Sequence, residues 1–181
     1  ACADFKIRTY SINQFIQLEI LYGHHDVVTD ISALAMERCV TVGGRDTTAM
    51  LWKISDETRL TFRGGDDADK LLRKWMKEHA VEKEDGTVEY PDELEAPNFV
   101  SEGSIDVVSM IDDSHFVTGS DNGNLCLWST SKKKPIYIER VAHGYMPSPS
   151  NNEISGEANS EVRTNQLQGD KLAHPYWITS V

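Results

Sequence analysis

The sequence predicts an all-β chain, part of a β-propeller with two long insertions between its sheets. Three observations predict it. Apolar and polar residues alternate in short runs, clusters of Gly, Asp, Asn and Ser separate those runs, and the whole pattern returns along the chain. Alternation with a period of two marks a strand with two distinct faces, and turn residues between such runs mark hairpins. The stretch RCVTVGGRDTTAMLWKI (38–54) shows both features, and HFVTGSDNGNLCLWST (115–130) nearly repeats it.

The repeat has a measurable period. Tyr10, Trp52 and Trp128 are each preceded, six residues earlier, by Asp4, Asp46 and Asn122. Tyr10 to Trp52 is 42 residues, and Trp52 to Trp128 is 76, with the 34-residue excess falling in an acidic segment after Arg63. A shift of 76 superposes TDISAL (29–34) on IDVVSM (105–110), CVTVGG on HFVTGS, and TAMLWK on NLCLWS. A unit of roughly 40–45 residues with four short strands is the signature of a propeller blade.

Within the clearest unit, strands are expected at 28–34, 38–42, 48–54 and 59–63. Turns at Ala35–Glu37, Gly43–Asp46 and Ser55–Glu57 connect them. The whole chain, 1–181, then reads as part of one propeller domain. Residues 1–22 end one blade, 23–63 form a second, and 64–103 form an acidic helical insertion. Residues 104–141 form a third blade, 142–174 hold a blade opening and the second insertion, and 175–181 are the first strand of the next blade. That is about two and a half blades, and closure takes at least about four, so a longer polypeptide is expected.

In the first insertion, DKLLRKWMKEHA (69–80) sets Leu71, Leu72, Trp75, Met76 and Ala80 on one helical face with charges opposite. Such a helix either packs on the propeller's own surface or docks in a partner's groove. The charged, Gly- and Pro-punctuated stretch 82–98 carries no periodic pattern, and a mildly helical one covers 157–168 in the second insertion.

Composition narrows the function class. The 181 residues carry a formal charge of −11. Residues 64–103 hold twelve acidic and five basic residues, a balance of −7, and residues 145–174 add −2, so the repeat body itself carries only −2. The body therefore does not repel a phosphate backbone. No run approaches the eighteen apolar residues of a membrane helix. Three cysteines without a Cys-x-x-Cys pair, and no Asn-x-Ser/Thr sequon, favour a reducing compartment, cytosol or nucleus.

His24, His25, Asp26 and Asp46 invite a metal or acid–base reading, yet the repeat already accounts for His24 and Asp46. Neither His-Glu-x-x-His, a phosphate-binding Gly-rich loop nor Gly-x-Ser-x-Gly is present. No catalytic residue, metal ligand or cofactor-binding residue is therefore expected. Asp112 and Asp113 read as solvated turn residues. The basic turn Lys132-Lys133-Lys134 is either a solvated hairpin tip or a sequence-independent phosphate contact. Arg45, in the Gly-Gly-Arg-Asp turn, is the more suggestive contact residue, with Lys6, Arg8 and Lys53 as possible neighbours.

These units resemble WD40 blades, whose Gly-His pair, Ser/Thr, Asp and Trp form a hydrogen-bonded structural network. The resemblance assigns structural roles to His24, Asp46 and Trp52 in one unit and to Thr118, Asn122 and Trp128 in the next. It gives Asp4 and Tyr10 such roles in the first unit and makes His143 the opening histidine of the last. In the gap-free alignment Val42 stands where the hydroxyl belongs, Tyr10 replaces Trp, Asn122 replaces Asp, and no histidine precedes Ser104. Incomplete networks are expected in the outer two units.

Beyond the generic positions, YGHHDVVTDISAL, ERCVTVGGRDTTAMLWKI, EGSIDVVSMIDDSHFVTGSDNGNLCLWS, KKKPI with AHG, and PYWITSV resemble the WD-repeat proteins of the U3 small nucleolar ribonucleoprotein, fungal type. That resemblance implies a seven-bladed, non-catalytic scaffold in the nucleolus. It implies partners in the U3 RNA B/C motif, its kink-turn-binding protein and other small-subunit processome proteins. The implied task is early pre-ribosomal RNA processing and ribosome biogenesis, with no membrane or small-molecule substrate. On this reading Arg45 is the first candidate for RNA or partner contact, and Lys132, Lys133 and Lys134 the second. The competing reading is a general WD-repeat interaction adaptor, such as a ligase substrate receptor, without RNA.

Overall fold

Strands form where alternation and turn residues place them. The structure, a computed structural model, describes residues 3–34, 37–65, 67–82, 87–92, 96–97, 99–146 and 174–181. The helical pattern expected at 157–168 lies outside them. The chain divides into two compact units, one of residues 1–64 with 103–181 and the other of Gly65–Glu102.

In the larger unit, β1 (Lys6–Ser11) and β2 (Ile16–Tyr22) pair as a two-stranded antiparallel sheet. β3 (Val28–Leu34), β4 (Arg38–Gly43), β5 (Thr48–Lys53) and β6 (Thr58–Arg63) form a four-stranded antiparallel sheet in chain order. These bounds lie within one residue of those the sequence predicts. After the smaller unit, whose elements are α1 (Ala68–Glu78), β7 (Val81–Glu82) and β8 (Val88–Glu89), a second four-stranded meander follows. Its strands are β9 (Ile105–Asp112), β10 (His115–Ser120), β11 (Leu125–Ser129) and β12 (Tyr137–Glu139).

The first meander is buried on both faces, which explains why β4 and β5 read as nearly continuous apolar runs. Alternate residues go to two different cores. Val40, Val42, Ala49, Leu51 and Phe62 pack with Ile105, Val108, Met110, Phe116, Cys126 and Trp128 of the second meander. Cys39, Met50 and Trp52 point the other way, into a core with Val28 and with Ile7 of the two-stranded sheet. Phe62 meets Phe116 edge-on at 5.1 Å, and Phe116 stacks on Trp128 at 5.9 Å. Each large apolar side chain buried this way contributes about 1.5–3 kcal/mol.

The seam between the meanders is also polar. β9 has no ladder partner on the side facing β3, and β3 side chains satisfy it. Asp30 Oδ2 accepts the Val108 N–H at 2.9 Å, Ser32 Oγ accepts the Met110 N–H at 3.0 Å, and the Thr29 hydroxyl donates to the Ile105 carbonyl at 2.8 Å. The Ile105 N–H in turn donates to the Gly44 carbonyl at 3.2 Å. Asp30 meets Val108 and Ser32 meets Met110, so β3 and β9 run in the same direction. Buried backbone groups are thereby paired across the seam.

Residues 175–181 depart from expectation. Instead of a strand, Pro175 makes an isolated antiparallel bridge with Tyr145, and Ile178 donates its N–H to the Ser120 carbonyl at 3.2 Å. The Ile178 bond mirrors Ile105 to Gly44, but no second strand lies beside it among the described residues, so no ladder forms.

In the smaller unit, Asp67 caps α1 by accepting the Lys70 N–H at 3.3 Å, and Leu71, Leu72, Trp75 and Met76 share its half-buried face. Trp75 stacks on His79 at 4.5 Å where the helix ends. The stretch 82–98, unpatterned in the sequence, contains half of a short hairpin that pairs Val81 with Glu89 and Glu82 with Val88. Its two valines, Val81 and Val88, are β-branched residues that favour strands.

Candidate partner-binding surface

The histidine–carboxylate pair is structural, as its surroundings show. The His24 ring, buried among β4 and β5 residues, places Nδ1 3.0 Å from Asp46 Oδ2 and Nε2 2.8 Å from Thr41 Oγ1. Trp52 Nε1 donates to the same Thr41 oxygen at 2.7 Å. Asp46 also accepts the His25 N–H, the Thr48 N–H and the Thr48 hydroxyl. Burial pushes the Asp46 carboxyl up, but the donors from His25, His24 and Thr48 outweigh it and hold the group below the usual carboxylate range. Every polar atom of this cluster is used in holding the hairpin, which leaves no group for acid–base work. Among the described residues, no group of three or more His, Cys, Asp or Glu side chains is arranged to hold a metal.

Thr41, not Val42, supplies the hydroxyl. Cys39 pairs with Trp52 in the first meander and Phe116 with Trp128 in the second, so β4 and β10 correspond with an offset of 77 while the Trp residues are 76 apart. The β4–β5 turn is one residue longer than the β10–β11 turn, and a gap-free alignment slips there. With the slip removed, Thr41 matches Thr118, whose Oγ1 accepts the Trp128 Nε1–H at 2.9 Å. Asn122 Oδ1 closes its own turn by accepting the Ser120 hydroxyl at 2.6 Å and the Asn124 N–H at 3.2 Å.

The first and last units form no such network. Asp4 pairs with Arg8 at 2.5 Å, and Tyr10, 59% exposed, donates to Gln17 Oε1 at 3.4 Å. His143 is exposed and has no hydrogen-bond partner among the described residues.

The candidate contact residues are all exposed. Arg45 holds its turn through its backbone N–H, which donates to Asp26 Oδ2 at 3.0 Å, leaving the guanidinium to solvent. Lys132, Lys133 and Lys134 lie in the β11–β12 turn. Within one sheet the two kinds of turn lie at opposite ends of the third strand. Exposed Arg63 ends β6. It is the ladder partner of Thr48, which closes the Arg45 turn, and its N–H donates to the Lys133 carbonyl at 3.4 Å. The other expected neighbours are engaged elsewhere. Lys6 sits over the Tyr22 ring at 5.3 Å, Arg8 pairs with Asp4, and Lys53 lines a groove of about 440 Å³ together with Glu19, Glu57 and Arg59.

Comparison with known proteins agrees with this geometry. The WD domain, G-beta repeat, matches residues 15–53 and 99–129. The chain is 75% identical over 181 residues to ribosomal RNA-processing protein 9 of Saccharomyces cerevisiae, covering 100% of this chain and 32% of that protein. It is 34% identical over 80 residues to the human U3 small nucleolar RNA-interacting protein 2, covering 44% of this chain and 12% of that protein. A solved structure, described as the structure of U3-55K, matches with a TM-score of 0.62 and 28% identity over 97% of this chain and 36% of that one. The chain thus spans about a third of the length of the yeast relative. Repeat, sheet order and identity along the whole chain agree: it carries WD-domain, G-beta repeats at 15–53 and 99–129 and is similar throughout to yeast ribosomal RNA-processing protein 9.

Proposed function

We propose that this chain is part of a non-catalytic propeller scaffold of the U3 small nucleolar ribonucleoprotein. Its place is the small-subunit processome in the nucleolus, where pre-ribosomal RNA is processed. The observation that carries the reading is the 75% identity to a ribosomal RNA-processing protein along all of this chain. The fold supports a scaffold: the repeat's histidine, aspartate, threonine and tryptophan are spent on hairpin geometry, and exposed cations remain at the turns. The partners on this reading are the U3 RNA B/C motif, the kink-turn-binding protein that docks there, and further processome proteins. Arg45 is the first contact residue and Lys132–Lys134 the second.

The test is binding of the full-length protein containing this chain to B/C-motif RNA, with and without the kink-turn protein, at two salt concentrations. Salt-sensitive binding that requires the small protein, weakened by Arg45→Ala, is the expected result. Binding in neither condition overturns B/C recognition and leaves a protein-only adaptor in its place.

A further inference from the structure

Within the smaller unit, a cleft of about 480 Å³ opens between the end of α1 and the β7–β8 hairpin. The rings of Trp75, His79, Tyr90 and Pro91 wall it, and Val81, Glu89 and Asp92 complete the lining. Val81 pairs with Glu89, and Glu82 with Val88. Residues directly opposite in such a pair share a face, so the Val81–Glu89 face looks into the cleft and the Glu82–Val88 face looks away. The His79 Nδ1–H donates to the Trp75 carbonyl at 2.9 Å, and the two rings stack at 4.5 Å, so both are ordered before anything binds. Apolar surface is nevertheless left to water, with Tyr90 55% and Val81 63% exposed.

Charge around the cleft has one sign. Among the described residues two carboxylates line it, and no Lys or Arg does. Residues 78–95 hold eight acidic residues and one basic. The cations of α1, Lys70, Arg73, Lys74 and Lys77, lie on the helix face opposite Trp75. Two of them are paired there, Lys70 with Asp67 at 2.9 Å and Lys74 with Glu78 at 3.6 Å.

We propose that this cleft is a docking site for an arginine side chain of a basic partner peptide. A guanidinium stacks on aromatic faces and forks onto carboxylates. The cleft offers both, with Trp75 and Tyr90 for the plane and Glu89 and Asp92 for the N–H groups. A phosphate backbone or an acidic peptide meets like charge here and is repelled. Arg45 and Lys132–Lys134 belong to the other unit and attract the opposite sign of charge. The cleft therefore serves a protein partner, whether or not those turns meet RNA.

The experiment uses the full-length protein containing this chain and a fluorescently labelled peptide of alternating glycine and arginine, read by anisotropy. Trp75→Leu and Tyr90→Leu leave the charge unchanged, so they separate ring contact from general attraction to an acidic surface. Trp75→Leu is expected to weaken binding about 10-fold and Tyr90→Leu about 3-fold. Glu89→Gln is expected to weaken it about 3-fold. Glu82→Gln, which removes the same charge from the far face of the hairpin, is expected to leave it unchanged. Thermal midpoints are measured alongside, and exposed Tyr90 keeps the test decisive should Trp75→Leu fail to fold. The arginine peptide is expected to bind more tightly than the same peptide carrying citrulline or lysine. Parent-like binding by Tyr90→Leu or by a folded Trp75→Leu overturns the site. So does an equal loss from Glu82→Gln and Glu89→Gln, equal binding of the citrulline, lysine or a glutamate peptide, or no binding of the arginine peptide at low salt.

Discussion

Replacing Thr41 with valine tests the corrected register of the first meander. Thr41 is fully buried, and its hydroxyl joins His24 Nε2 at 2.8 Å to Trp52 Nε1 at 2.7 Å. Valine has nearly the same shape, so the change opens no cavity and removes only the hydroxyl. Two buried nitrogens then lose their partner, at about 1–3 kcal/mol each, giving a loss of about 3 kcal/mol. Thr118→Val orphans only the Trp128 Nε1–H and is expected to cost about 1–2 kcal/mol. Val42→Thr is the decisive companion. If position 42 held the hydroxyl of the network, this change would stabilise; in the observed register it puts an unpaired hydroxyl into the Phe62 core, at about 1–3 kcal/mol. Urea unfolding followed by tryptophan fluorescence reads all three, with an unchanged m-value required for comparison. A Thr41→Val loss below about 1 kcal/mol, or any stabilisation by Val42→Thr, refutes the network and its register together.

Other consequences follow from the same geometry. The Asp46 carboxyl lies below its ordinary range, so its contribution is fully present above the unfolded carboxylate value of about 3.9 and is lost as pH falls through the lower folded value. Asp46→Asn is expected to destabilise at neutral pH and to flatten the acid limb of the stability–pH curve; parallel limbs would contradict this. Gly43→Ala places a Cβ 2.3 Å from Asp46 Oδ1 and 2.5 Å from His24 Nδ1, and a drop in thermal midpoint equivalent to about 1–3 kcal/mol is expected. Asp30→Ala strips the acceptor from the Val108 N–H, so hydrogen exchange at Val108 should accelerate while Cys39, on the far core, keeps its protection. Burial raises the Cys39 thiol to about 11, and native-state alkylation of Cys39 near pH 8 is expected to be slow until the protein is unfolded.

The strands of the first meander were legible because each is a short alternating or nearly continuous apolar run closed by Gly, Asp or Ser. The α1 helix was legible for the equivalent reason at a period near 3.6. The β7–β8 hairpin was not, since two-residue strands carry no period. Identity of the hydroxyl residue failed at a single inserted turn position: Thr41 and Val42 are neighbours, and only the pairing of Cys39 with Trp52 says which one faces the indole. Asp4 and Tyr10 make other contacts among the described residues, with Arg8 and Gln17.

By itself the sequence determined what local pattern and near neighbours govern: four-stranded units, their period, the His24–Asp46–Trp52 set and the absence of catalytic motifs. Tertiary structure decided what depends on segments far apart in the chain. Asp30 and Ser32 cap β9 from 78 residues away, and Arg63 reaches the Lys133 carbonyl across a seam. A nearly continuous apolar run specifies that a strand is buried on both faces, but not which residues of the next sheet meet them. That choice is made by packing.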